Sequence, residues 1–185
     1  MKKLNLGCGE FKKNGYINLD MNKKVKPDVV HNLNKFPYPF KDNYFDLVEA
    51  SHVLEHVEDP FKVMKELHRI MKHNGTLIIR VPHFSRGFTH ADHKRGFDVS
   101  FPYYFNPKYK GGYTGTDFEL KKIRLHWFAQ HYLMKSILPW YVYYSSIIFG
   151  KFIDFFANLN VYLCSRIWCF LVGGFYEIEF HFVKE

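Results

Sequence analysis

Read for polarity alone, the first 82 residues fall into short apolar runs separated by polar, glycine-containing connections. LNL (4–6), INL (17–19), VVHNL (29–33), FDLVEA (45–50) and TLIIRV (76–81) are predicted as strands. Short apolar strands alternating with connections are the pattern of a parallel sheet in an α/β domain. Between the last two strands the period changes. Phe61, Met64, Leu67, Ile70 and Met71 recur at helical spacing, with Asp59 as N-cap, Pro60 at the first helical position and Asn74-Gly75 as the stop.

Residues 83–117 show no long period and carry Gly, Pro, His and aromatic residues, so a loop region holding short elements is expected. Loops of that length are usually functional or disordered, and this one is too aromatic for disorder. Order resumes at Leu120, Ile123 and Leu125, followed by a largely apolar helical stretch from Phe128 to about Phe170 and a final alternating strand in YEIEFHFVKE. The longest uncharged piece of that stretch, Ser136 to Gly150, has 15 residues, short of the ~20 that a spanning helix needs. A true membrane span is not expected. The chain reads as one domain, 1–185, with a ligand-binding half over 1–82 and a substrate-side loop, helical insertion and last strand over 83–185.

Composition narrows this picture only a little. A chain of 185 residues that is 47% hydrophobic can bury a substantial core. Cys8, Cys164 and Cys169 are odd in number and lack paired metal-ligand spacing, and the opening MKK runs into a strand, which together predict a cytoplasmic, reduced protein. The net charge of +8 attracts anionic partners without choosing among them. No stripe of Lys and Arg alternates with aromatics in a recognised module, so no nucleic-acid partner is expected. The 20 Phe and 13 Tyr concentrate after residue 97, where a packed core, a greasy substrate pocket and a membrane-facing surface are all open readings.

In open α/β sheets ligands sit beyond the carboxyl ends of the strands. The residues there are Gly7-Cys8-Gly9, Asp20, Asn32-Leu33, Ser51-His52 and Pro82-His83. Glycines let a ligand approach the backbone closely. Asp20 offers two acceptor oxygens to a ribose diol, Asn32 can accept from an adenine amino group or donate to a ring nitrogen, and Leu33 can cover the ring face. Only seven residues, Glu10 to Tyr16, separate Gly9 from the second strand. That leaves no room for the helix whose N-terminus would hold a pyrophosphate. The set describes a nucleoside pocket without a phosphate site, which argues against NAD and fits S-adenosylmethionine.

"LNLGCG…GYINLD" followed by "VVHNL…FPYPFKDNYFDLVEASHVLEHVEDPFKVMKELHRIMKHNGTLIIRVPH" resembles the class I S-adenosylmethionine-dependent methyltransferases, in particular small bacterial and archaeal members of the type 11 group with a shortened first crossover. The resemblance covers about residues 4–83; "PHFSRGFTHADHKRGF" and "FIDFFANLNVY…YEIEFHF" are also similar to members encoded among cell-surface polysaccharide enzymes. It implies a Rossmann-like, doubly wound, mostly parallel sheet with an aromatic-rich helical insertion before the last strand. Gly7 and Gly9 would then meet the methionine moiety, Asp20 the ribose and Asn32 the adenine end; Cys8, Leu33 and Ser51 are counted with them as candidate cofactor-binding residues. Family members commonly carry Asp where this chain has Asn32, and their third Gly is replaced by the Glu10-Phe11 run.

A methyl acceptor hydroxyl must be aligned with the methyl group and lose a proton. His52, directly after the fourth strand, is the first candidate base, with His56 a helical turn on and His93 in the loop expected to close over the pocket; the alternative for His52 is a role in shaping the pocket or bonding the cofactor. His83, His90 and His93 with Asp92 have a spacing that is not diagnostic of a metal site, and none is expected. Lys94, Arg95, Lys108 and Lys110 are candidates for an anionic acceptor or a solvated surface. Asp46 and Glu55 are read as structural, fixing the fourth strand and anchoring a loop. The partner expected is a small-molecule or glycan acceptor, with a lipid or quinone acceptor, or a non-catalytic cofactor-binding module, as alternatives. Peripheral membrane contact through the C-terminal aromatic helices is a further expectation.

Overall fold

The computed structural model describes residues 1–87 and 90–185. Its framework is a seven-stranded sheet of β1 (Lys3–Leu6), β2 (Ile17–Asp20), β3 (Val29–Val30), β4 (Phe45–Ser51), β5 (Met71–Pro82), β6 (Phe118–His126) and β7 (Glu177–Lys184), in the order β3-β2-β1-β4-β5-β7-β6. Strands β1 to β5 pair in parallel, and β7 runs antiparallel between β5 and β6. Strand order reverses between β1 and β4, so their carboxyl ends open a crevice.

The α/β class and sheet are as expected, but the winding is sparse. Among the described residues α1 (Pro60–Ile70) is the one α-helix in the parallel crossovers, and the connection from β1 to β2 has none. The buried side chains of Asn5 and Asn18, bonded to each other at 3.0 Å, take the place of a helix there. Asn5 Nδ2 donates to the Phe11 carbonyl and Asn18 Oδ1 accepts from Lys13 N, satisfying backbone groups of the turn.

α1 begins as its sequence predicts, with Asp59 accepting from Phe61 N and Lys62 N ahead of Pro60. Its end is different. Met71 is extended and pairs with Phe45, so the helix stops at Ile70 and Asn74-Gly75 lies inside a bulge of β5, where Thr76 is the partner of Leu47. Asn74 takes a positive φ, and a Cβ on Gly75 would lie 2.8 Å from the Lys72 carbonyl oxygen. The third strand is shorter than VVHNL; Asn32 and Leu33 follow it in a turn.

Leu4, Leu6, Val48, Ala50, Leu77 and Ile79 bury the centre of the sheet, and Phe105, Phe118, Phe175, Phe180 and Phe182 fill the far side. Each of these side chains larger than Ala50 contributes about 1.5–3 kcal/mol by leaving water. The aromatic insertion before β7 comprises α2 (Trp140–Ala157) and a helical segment, Val161–Leu171, bent 114° from it and π-wound over Cys164–Trp168. Asn158 exchanges bonds with the Leu125 backbone and Asp154 accepts from Trp127 N, pinning α2 to the end of β6. Among the described residues no single helix is long and apolar enough to cross a membrane.

Candidate active site

The glycine turn after β1 is shaped by two constraints. Gly7 has a φ of +62°, and a Cβ there would lie 2.4 Å from Val53 Cγ2, so close packing on Val53 excludes a side chain before any ligand is considered. Gly9 also has a positive φ, but a Cβ there would meet nothing within 4 Å; it faces the open cleft. Asp20 fastens this turn. One of its carboxylate oxygens accepts from Gly9 N and the other from Asn22 N, both at 2.8 Å, which leaves further lone pairs for a diol. Asn32 Oδ1 accepts from Asn34 N, so its amide NH₂ is the group left to address a ring nitrogen. Cys8 is buried, and burial followed by the charge of Asp20 raises its thiol pKa, keeping it protonated.

Two cavities flank the turn. One of about 770 Å³ is lined by Gly7, Cys8, Gly9, Ser51 and His52 together with Arg80 and Glu177. The other, about 240 Å³, is lined by Gly7, Asp20, Asn32, Leu33, His52 and His56. Every cofactor-binding residue expected from the sequence therefore lines one cavity or both. The donors and acceptors on the nucleoside side and the Gly9 cradle fit S-adenosylmethionine, which needs no phosphate site.

A third cavity, about 200 Å³, adjoins these and is lined by His52, His56, Arg86, Asp92, His93 and Gln130 among others. It brings the three histidines expected to be catalytic to one place. His52 borders all three cavities. Its Nε2 lies 2.7 Å from Glu177 Oε2 and its Nδ1 3.4 Å from Glu55 Oε1. Burial alone would lower its pKa, but the two carboxylates outweigh this and raise it to about 9. His52 is thus an imidazolium at neutral pH, with no lone pair to take a proton. Beside it stand His56 and His93, whose Nε2 atoms face Glu55 Oε1 at 3.9 and 4.0 Å.

Three other residues need placing. Glu55 is fully buried, and neither carboxylate oxygen has a hydrogen-bond partner, His52 Nδ1 facing Oε1 at 3.4 Å. His83 lies outside the cavities as a buried strut between Ser85 and Ser165, its pKa lowered to about 4 by burial. Arg95 is spent on the carbonyls of Leu54, Val57 and Glu58, while Lys108 and Lys110 line none of the three cavities. The run PHFSRGFTHADHKRGF includes residues 88 and 89, which lie outside the described residues.

Glu177, Arg80 and Glu49 were missed from the sequence. Arg80 joins Glu49 at 3.1 Å and Glu179 at 2.6 Å beneath the larger cavity. Burial would raise the Glu49 carboxyl, but Lys13, Tyr16 and Arg80 together hold it at about 2. The available signal was the pair Glu177 and Glu179 in an otherwise aromatic, alternating strand, since acids in a buried strand require partners.

Residues 4–79 match the methyltransferase domain family. An uncharacterized protein of Methanocaldococcus jannaschii is 42% identical over 59 residues, 32% of this chain; the match spans 23% of that relative's length. The fold resembles a SAM-dependent methyltransferase from Archaeoglobus fulgidus, with a TM-score of 0.59 and 19% identity over 99% of this chain and 86% of that one. An S-adenosylmethionine-dependent methyltransferase from Mesorhizobium loti gives 0.56 and 12%, over 99% and 90% of the two chains. The fold is that of the S-adenosylmethionine-dependent methyltransferases.

Proposed function

We propose that this chain transfers the methyl group of S-adenosylmethionine to a hydroxyl of a small molecule or cell-surface glycan. The observation that carries the reading is the third cavity: it opens beside the cofactor cleft across His52 and is lined by histidines, Asp92, Gln130 and Arg86, whose donors and acceptors can hydrogen-bond a hydroxylated acceptor. S-adenosylmethionine, when bound, supplies an electrophilic methyl on a sulfonium. The chain's own groups do the rest. Gly9 and Asp20 shape the cradle, Asn32 addresses the adenine, the His52 imidazolium ties β4 to β7, and the Glu55, His56 and His93 group receives the acceptor's proton. Incubation with S-adenosylmethionine and a panel of sugars, nucleotide sugars and glycans is expected to yield S-adenosylhomocysteine. Product formed only with lipids or quinones, or with no acceptor, would overturn this reading.

Micromolar binding of both S-adenosylmethionine and S-adenosylhomocysteine is expected by calorimetry. Asp20→Ala should weaken it by ~1.5–3 kcal/mol, about 10- to 150-fold, the usual loss for bonds to a charged group. Unchanged binding in the variant, or preference for NAD in the wild type, would count against the site.

The second element of the proposal is a peripheral membrane location on the cytoplasmic side. Its support is an apolar face too large for an ordinary monomer surface. Trp140 is 75% exposed and Leu171 76%, with Ile148, Phe152, Phe155 and Phe170 between them, while α2 buries only Tyr143, Gly150, Ile153 and Ala157. Exposed Lys135 and Lys151 and the net charge of +8 complement anionic headgroups. The same face favours a lipid acceptor as the second reading. Sedimentation with vesicles containing anionic lipid should capture the wild type and release a Phe152→Asp, Phe155→Asp variant. Equal capture of both would exclude this face.

A further inference from the structure

Three lone-pair donors, from Glu55, His56 and His93, converge beside the third cavity, and none hydrogen-bonds another; Glu55 Oε1 has His52 Nδ1 facing it at 3.4 Å. His93 Nδ1 lies 2.7 Å from the Gly87 carbonyl oxygen, and His56 Nδ1 lies 3.4 Å from the Asp92 carbonyl oxygen and 3.3 Å from Asp92 Oδ2. An imidazole nitrogen facing oxygens carries the proton, so in both rings Nε2 is the nitrogen with the free pair. Both Nε2 atoms point at Glu55 Oε1, at 3.9 and 4.0 Å, and the three ligand atoms lie within 4.8 Å of one another. These gaps are too long for hydrogen bonds. A single water, with two protons, cannot satisfy three acceptors. A cation can.

We infer that Glu55, His56 and His93 form a binding site for a divalent first-row transition metal of the zinc type. Two imidazole nitrogens and one carboxylate oxygen are a ligand set such ions accept. With bonds of about 2.0–2.2 Å at the tetrahedral angle, ligand atoms lie about 3.3–3.6 Å apart, so the gaps to Glu55 close with shifts of about half an ångström and the two rings draw together by about 1 Å or less. The outer contacts have the form that orients metal-bound histidines, with each Nδ1 held by an oxygen. The scaffold is built to hold the ligands together. Lys94 N donates to the Glu55 carbonyl, Arg95 donates to the carbonyls of Leu54, Val57 and Glu58, and Gly87 packs on Gly96 where a Cβ would come within 2.8 Å of its Cα. This zips the 90–95 segment onto the 54–58 turn. His56 and His93 line the third cavity, so an ion held by the three ligands keeps a position there for an acceptor oxygen, and with both Nε2 pairs on the ion the two histidines serve as proton acceptors only in the metal-free protein. The group weighed from the sequence, His83, His90 and His93 with Asp92, shares only His93 with this site, and the inference departs from the expectation of no metal.

The inference goes beyond methyl transfer and is tested without turnover. Tag-free protein stripped with chelator is titrated with Zn²⁺ by calorimetry and with Co²⁺ by visible absorption. One ion per chain is expected, at micromolar or tighter affinity, with a Co²⁺ spectrum of low coordination number. His93→Ala and Glu55→Gln, the latter chosen to preserve the buried shape, should each weaken binding at least 10-fold. Asp20→Ala should weaken S-adenosylhomocysteine binding and leave the metal isotherm unchanged, so failure of the cofactor reading and failure of the metal site are separately visible. Absence of stoichiometric binding in folded wild type, or an isotherm indifferent to both His93→Ala and Glu55→Gln, would overturn the site and leave the two histidines as proton acceptors alone.

Discussion

His52→Ala is expected to lower the unfolding free energy by ~3–5 kcal/mol at neutral pH, the cost of removing one partner from a buried ion pair. The His52 imidazolium lies between Glu177 on β7 and Glu55 in the turn after β4. Without it, both carboxylates remain buried and short of a cation. The linkage has a definite sign. The folded pKa, about 9, is above the ordinary value of 6.5, so the contribution is complete below pH 6.5 and is lost as pH rises through about 9. A rise of that size corresponds to about 3 kcal/mol, consistent with the cost of the substitution. Urea denaturation from pH 6 to 10 should show the wild type losing stability above neutrality, with a smaller decline in His52→Ala. Equal pH slopes, or a loss below about 1 kcal/mol, would mean that His52 is not charged in the folded protein.

How much of this was legible in the chain depends on the distance over which each feature is decided. The cleft at the strand ends was readable because the rule placing ligands there converts local sequence into position: Gly7, Gly9, Asp20 and Asn32 each follow a short apolar run and line its cavities. The missing first helix was readable from seven residues of spacing. The end of α1 was not. Met71 continues the apolar period of Phe61, Met64 and Leu67, and only its pairing with Phe45 shows that it belongs to β5. Tertiary pairing overrode a local pattern that was otherwise sound.

The histidine-lined cavity shows the same limit more sharply. His52, His56 and His93 could be named as candidates, yet the protonation state of His52 depends on Glu177, 125 residues away in sequence. Glu55 stood between His52 and His56 in plain view. Its burial depends on the 90–95 segment folding over it, which no periodicity announces. Sequence could collect the ionisable groups, whereas assigning them as cation, acceptor or ligand required knowing which carboxylate each imidazole faces.

His93→Ala is expected to reduce turnover by ~100- to 10,000-fold once an acceptor is in hand, the range for loss of one acid–base group. Its S-adenosylmethionine affinity should stay within a few-fold of wild type, because His93 lines the acceptor cavity and neither cofactor cavity. Asp20→Ala should show the reverse emphasis, with cofactor affinity lost first, because Asp20 lines the nucleoside side and lies outside the acceptor wall. His56 borders both the nucleoside cavity and the acceptor cavity, so His56→Ala should show both defects. The contrast between the first two is the informative measurement, since a merely structural residue would depress stability, affinity and rate together. Single-turnover rates at saturating cofactor, beside calorimetric affinities for the same three variants, test it. Near-normal turnover in His93→Ala, or a collapse of cofactor binding in that variant, would remove the loop histidine from the reaction and return the acceptor's proton to a group outside the Glu55 cluster.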